Sequence, residues 1–162
     1  MIIMGIDPGI GITGYSFVEY KNDKYTLIAS GSIQTNKNAI HPLRLLELEG
    51  DLTNLIDKYK PDCASVEQLF FFKNQKTVIP VAQARGVILV ALAKNNIPIF
   101  EYTPLVVKQT ITGHGRAEKN MVKLMVKNFI EIRENIKLDD TIDSIALALC
   151  HGQNIINKKE IE

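Results

Sequence analysis

Apolar and polar residues alternate along the first third of the chain and then give way to helical spacing. Ile2 to Asp7 reads as a short buried strand closed by Pro8-Gly9. Gly11, Thr13, Tyr15 and Phe17 alternate toward a second strand, and Tyr25 to Ile33 forms a third. Asn22-Asp23 between them is a hairpin turn signal. Across 40–59, Leu43, Leu46, Leu52, Leu55, Ile56 and Tyr59 recur at helical spacing, and Pro61 follows. Cys63 to Val66 predict a fourth strand ending at Glu67, and Ile97 to Tyr102 a fifth.

A helical stretch from about Thr77 to Asn95 separates those two strands. Pro80 fits a first turn but not a helix interior, so regular helix is expected from about residue 80. Thr103-Pro104 opens a short helix toward Thr110, and Gly113-His114-Gly115 interrupts the chain. Further helices are expected over 116–132 and from Asp140 to about Asn154. The sum predicts an α/β fold, a five-stranded mixed sheet flanked by helices. One domain is expected over 1–154, followed by a short tail over 155–162.

The composition excludes some classes. The longest apolar run, Val87 to Ala93, is far below the ~18 residues that a membrane span requires. The start carries Asp7 and no basic segment, so no signal peptide is expected. Cys63 and Cys150 lack metal-ligand spacing and read as reduced packing residues of a cytoplasmic protein. Net charge is only +1, but it is unevenly spread. Residues 1–72 hold six Lys/Arg against nine Asp/Glu, −3; residues 73–137 hold eleven against four, +7; residues 138–162 hold two against five, −3. A basic middle between acidic flanks suits a phosphate-handling protein, although a solvated lysine-rich face would look the same.

Four acids lie inside or at the end of apolar runs: Asp7, Glu67, Asp140 and Asp143. Ionised carboxylates are costly there unless paired or bound to a metal. Asp7 and Glu67 each end a strand, and ligand sites of open α/β sheets lie outside the carboxyl ends of strands. Asp140 and Asp143 share a helix face at i,i+3, but so do Asp139 and Asp143 at i,i+4. Spacing does not choose between the two pairs, and either Asp139 or Asp140 could instead cap the helix. Asp7 could be an ordinary turn residue, and an ion pair to Arg85 or Lys108 would explain Glu67. Carboxylates gathered together repel unless a cation neutralises them, and a two-metal pair supports in-line displacement at phosphorus.

Phe70-Phe71-Phe72 follows Glu67 closely. Three rings in a row at a strand exit cannot all point into the core, and an exposed ring could stack on or wedge between bases. Lys73, Lys76, Arg85, Lys108, Arg116, Lys119 and Lys123 are candidate phosphate contacts. Lys108 and Lys119 flank the Gly113-His114-Gly115 break. His41, His114 and His151 show no ligand spacing.

Taken in order, these pieces resemble the RuvC family of bacterial Holliday-junction resolvases, within the ribonuclease H-like superfamily. The matching segments are Gly-Ile-Asp-Pro-Gly with Thr-Gly-Tyr at 5–15, and Val-Glu-Gln with Phe70 and Lys73-Asn74 at 66–74. Gln-Ala-Arg-Gly at 83–86, Val-Lys-Gln-Thr at 107–110, Ala-Glu-Lys at 117–119 and Asp-x-x-Asp-Ser-Ile-Ala-Leu-Ala at 140–148 complete them. The resemblance implies a homodimeric, Mg²⁺-dependent endonuclease with two ions per site, Mn²⁺ able to substitute. It would cut two opposed strands of a four-way DNA junction, leave 5′-phosphate and 3′-hydroxyl ends, and work with the RuvA and RuvB branch-migration proteins. It places the catalytic and metal-binding acids at Asp7, Glu67, Asp140 and Asp143. It also implies a junction-facing aromatic at Phe70 and basic groups near the scissile phosphate at Lys108 and Lys119.

Other readings share parts of this pattern. A nucleotide-binding module of the actin, Hsp70 and sugar-kinase type opens similarly but needs two such domains facing a cleft. A ribonuclease H would cut RNA–DNA hybrid on the same fold. A nuclease-dead junction scaffold would not need four intact acids.

Overall fold

The computed structural model describes residues 1–69, 75–132 and 141–159. Its centre is a mixed sheet. Strand β1 (Ile2–Asp7) pairs antiparallel with β2 (Ile12–Lys21), which pairs antiparallel with β3 (Lys24–Gln34). Asn22 and Asp23 close that hairpin with positive φ at both turn residues, as a tight type I′ connection demands. Strand β4 (Cys63–Glu67) lies parallel to β1, and β5 (Ile99–Tyr102) lies parallel to β4.

Among the described residues there is a sixth strand, β6 (Ile130–Ile132), parallel to β3, giving the order β5-β4-β1-β2-β3-β6. The sequence pattern predicts five strands and carries the preceding helix through residue 132. That helix, α4 (Lys119–Phe129), instead stops one residue before β6 begins. Ile130 and Ile132 are β-branched and pair with Tyr25 and Leu27 at an otherwise open edge. Three residues are too few to reveal period-2 alternation, so tertiary pairing overrides the local helical pattern.

Helices cover both faces. On one, α1 (His41–Tyr59) and α2 (Gln75–Lys94) bury Leu48, Leu52, Ile56, Ala84, Ile88 and Leu92 against Met4, Ile6, Phe17 and Val66. Helix α2 starts at Gln75 rather than near residue 80, and so takes Pro80 into its interior. On the other face lie α3 (Pro104–Thr112), α4 and α5 (Ile142–Lys159). Thr103 caps α3 by accepting from the Val106 N–H at 3.2 Å, Pro104 occupies its first turn, and Gly113 ends it at φ 75°.

Helix α5 crosses the middle of the sheet and is buried nearly all round over 144–152. Ser65 Oγ on β4 donates to the Leu147 carbonyl at 2.7 Å, tying the helix to the sheet. The helix runs to Lys159, through the first residues of the segment read as a tail, and Ile156 packs against the core. Cys63 and Cys150 are free, buried thiols, and burial pushes Cys63 up to about 11. No described helix is long and apolar enough to cross a membrane.

Candidate active site

The register of β1 against β4 builds the site. Ile3 pairs with Cys63 and Gly5 with Ser65, all on the face covered by α5. Side chains alternate along a strand, so one further two-residue step sets Asp7 beside Glu67 at the carboxyl ends of two parallel strands. Their side chains are hydrogen-bonded to one another. Burial raises Asp7 above its ordinary carboxylate range, and the charge of Asp143 adds to that. The bond to Glu67 and the ammonium of Lys119 pull it back. Burial likewise leads the shift of Glu67, joined by the charge and hydrogen bond of Asp7 and the charge of Asp143, and pushes it up to about 8.

Asp143 comes from the first turn of α5. The start of that helix is seated by Thr141 Oγ1, which lies 3.0 Å from Ser30 Oγ of β3, and by Ser144 Oγ, which donates to the Thr141 carbonyl at 2.8 Å. Asp143 acts electrostatically on both other acids, but its Oδ2 accepts from Lys119 Nζ at 2.9 Å. The two side chains are 70% and 47% exposed, so this ion pair is worth at most about 1 kcal/mol.

Glu67, Lys108, Lys119 and Asp143 line a cleft of about 150 Å³ whose apolar wall includes Val107, Val122 and Leu147. Three of the expected acids and two of the expected lysines therefore meet at one place. Asp140, Phe70, Phe71, Phe72, Lys73 and Asp139 lie outside the described residues, as does the side chain of Lys76. Lys123 follows Lys119 by one turn of α4. Arg116 is exposed in the α3–α4 connection and lines a separate hollow with His114, Glu118 and Met121.

Arg85 points elsewhere. Its guanidinium pairs with Glu101 of β5, and its Nε donates to the backbone carbonyl of Glu67 at 3.3 Å. It braces the end of β4 from behind. Histidines take structural positions: His41 Nε2 lies 2.7 Å from Gln83 Oε1 between α1 and α2, and His151 Nδ1 lies 2.8 Å from the Tyr102 hydroxyl. Sequence reading missed the Lys119–Asp143 and Arg85–Glu101 pairs, which no local spacing signals.

The donor set suits a hard divalent cation. Asp7 and Glu67 offer adjacent carboxylate oxygens in a half-dry site, where burial and neighbouring charge raise both, a crowding that a cation would relieve. Among the described residues no three His, Cys, Asp or Glu side chains are gathered tightly enough to hold an ion. The third acid is within electrostatic reach, and an ammonium holds it instead.

Comparison with known proteins places the chain in a family. The family model described as "Crossover junction endodeoxyribonuclease RuvC" matches residues 3–151. The protein of that name from Petrotoga mobilis is 49% identical over 152 residues, spanning 94% of this chain and 93% of its own. The one from Halothermothrix orenii is 46% identical over 160 residues, spanning 98% and 97%. The solved structure of T. thermophilus RuvC in complex with Holliday junction substrate superposes with a TM-score of 0.87 at 29% identity, over 96% of this chain and 94% of that one. The chain belongs to the RuvC family of metal-dependent crossover junction endodeoxyribonucleases.

Proposed function

We propose that this chain resolves four-way DNA junctions as a homodimer, each protomer cutting one of two opposed strands by Mg²⁺-dependent hydrolysis. The observation that carries this reading is the parallel register that sets Asp7 beside Glu67, with Asp143 of α5 over them and Lys108 and Lys119 at the rim. The junction complex of T. thermophilus RuvC, similar over nearly the whole chain, supports the substrate assignment.

Asp7, Glu67, Asp140 and Asp143 would hold the metal, two Mg²⁺ per site with Mn²⁺ able to replace them. When bound, the ions supply Lewis acidity for the attacking water and for the departing 3′-oxygen, which leaves 5′-phosphate and 3′-hydroxyl ends. Lys108 and Lys119 attract and orient the phosphate. The apolar wall of Val107, Val122 and Leu147 keeps those charge–phosphate contacts strong by limiting local water. Phe70, Lys73, Lys76, Arg116 and Lys123 extend the DNA contact beyond the cleft, and Arg85 supports it from behind through the end of β4. The protein works in the cytoplasm with the branch-migration partners RuvA and RuvB.

A mobile four-way junction with one labelled strand tests this reading, in Mg²⁺ and then in EDTA. Paired, symmetric, metal-dependent nicks are expected, with linear duplex left intact. Equal cutting of duplex, or nicking that survives EDTA, would sink it. Asp7→Asn should abolish nicking while the variant still shifts the junction in a gel.

A further inference from the structure

We propose that Lys119 is a stand-in counter-ion. In the DNA-free protein its ammonium holds Asp143 away from the cation site, and a DNA phosphate must take Lys119 over before that carboxylate can serve as a ligand. The inference rests on the divalent-cation reading above and goes further by coupling metal occupancy to DNA.

Three observations carry it. Asp143 is close enough to influence both Asp7 and Glu67, yet the described acids do not converge into a three-ligand cluster. The oxygen through which Asp143 would join the other two described acids accepts from Lys119 Nζ at 2.9 Å. Both partners are substantially exposed, so the pair is weak and exchangeable rather than a fixed structural bridge. Lys119 is also the first residue of α4, on a long flexible stem beside Lys108 in the same cleft. A phosphate entering there meets an ammonium already positioned, and its departure from Asp143 leaves an unpaired anion facing the other acids. Cation and DNA then favour one another, because each stabilises the arrangement the other needs. The free enzyme is left with Asp143 withheld from the other acids, which restrains cutting of DNA that does not seat fully in the cleft.

The test measures Ca²⁺ affinity by calorimetric titration of the full chain, with and without a four-way junction, Ca²⁺ being a hard oxygen-seeking probe. Lys119→Met should raise the affinity of the DNA-free protein by at least about fivefold, the low end of ordinary coupling factors. Lys108→Met removes one positive charge from the same cleft without freeing Asp143, and should raise it less. Junction DNA should increase Ca²⁺ affinity in the wild type and distinctly less in Lys119→Met. Equal effects of the two lysine variants, or an undiminished DNA-induced gain in Lys119→Met, would overturn the proposal. Ca²⁺ binding that Asp7→Asn leaves untouched would overturn both this proposal and the cation reading. An unchanged melting midpoint in Lys119→Met shows that the fold is intact.

Discussion

Gly5 lies directly beneath the carbonyl of Ser144: a Cβ at residue 5 would come within 1.9 Å of that oxygen and 2.8 Å of Ser16 Oγ. Neither neighbour can yield easily, since one is helix backbone and the other is buried in the adjacent strand. The close approach is what brings the first turn of α5, and with it Asp143, down over Asp7.

Gly5→Ala is therefore expected to lower stability by roughly 1–3 kcal/mol through overpacking, and to lift the start of α5. Urea denaturation would read the first effect. Junction nicking at saturating Mg²⁺ would read the second, and should fall further than the loss of folded protein explains. A variant of wild-type stability and rate would mean that α5 seats without this contact.

Crowding of Asp7 and Glu67 predicts a pH-dependent fold. Glu67 binds its proton more tightly in the folded protein, where it titrates near 8, than in the unfolded chain, near 4.5. The folded state thus holds the extra proton between those values, and stability of the metal-free protein falls as pH rises from about 4.5 toward about 8. One proton corresponds to a slope of at most about 1.4 kcal/mol per pH unit. Melting in EDTA should show the midpoint dropping across this window. Added Mg²⁺ should raise it more at pH 8 than at pH 5, and Glu67→Gln should flatten the dependence. A midpoint that climbs with pH in EDTA would contradict the crowding.

Much of this was legible because it was local. The β2–β3 hairpin follows from Asn22-Asp23, α3 from Thr103-Pro104 and Gly113, and the strand ends at Asp7 and Glu67 from acids closing apolar runs. What escaped was set by tertiary contact. Strand β6 exists because β3 offers an edge to Ile130–Ile132, and α2 accommodates Pro80 because Ala84, Ile88 and Leu92 bury its later turns. The same holds in the site. Lys119 and Asp143 meet across 24 positions of sequence, so the chain presents them only as a lysine and an acid awaiting partners.

Arg85 separates two kinds of contribution. If it braces β4 through Glu101 and the Glu67 carbonyl, Arg85→Gln should cost about 1–3 kcal/mol of stability, less than a fully buried pair because Glu101 is partly exposed. Glu101→Gln should cost a similar amount, and the double variant little more than either alone. Junction affinity should remain near wild type once the folded fraction is accounted for. A large loss of affinity with stability unchanged would instead make Arg85 a direct phosphate contact.

Pro80 sits well inside α2, where it has no N–H to give the carbonyl one turn back and its ring crowds that turn. Its ring is half-buried, so replacement sacrifices some packing. The helix hydrogen bond regained outweighs that loss, and Pro80→Ala is expected to stabilise the protein by roughly 1–3 kcal/mol. Circular dichroism should show unchanged or slightly greater helicity, with a higher midpoint in thermal and urea melts. A lower midpoint would show that the ring's packing, rather than the missing N–H, dominates at this position.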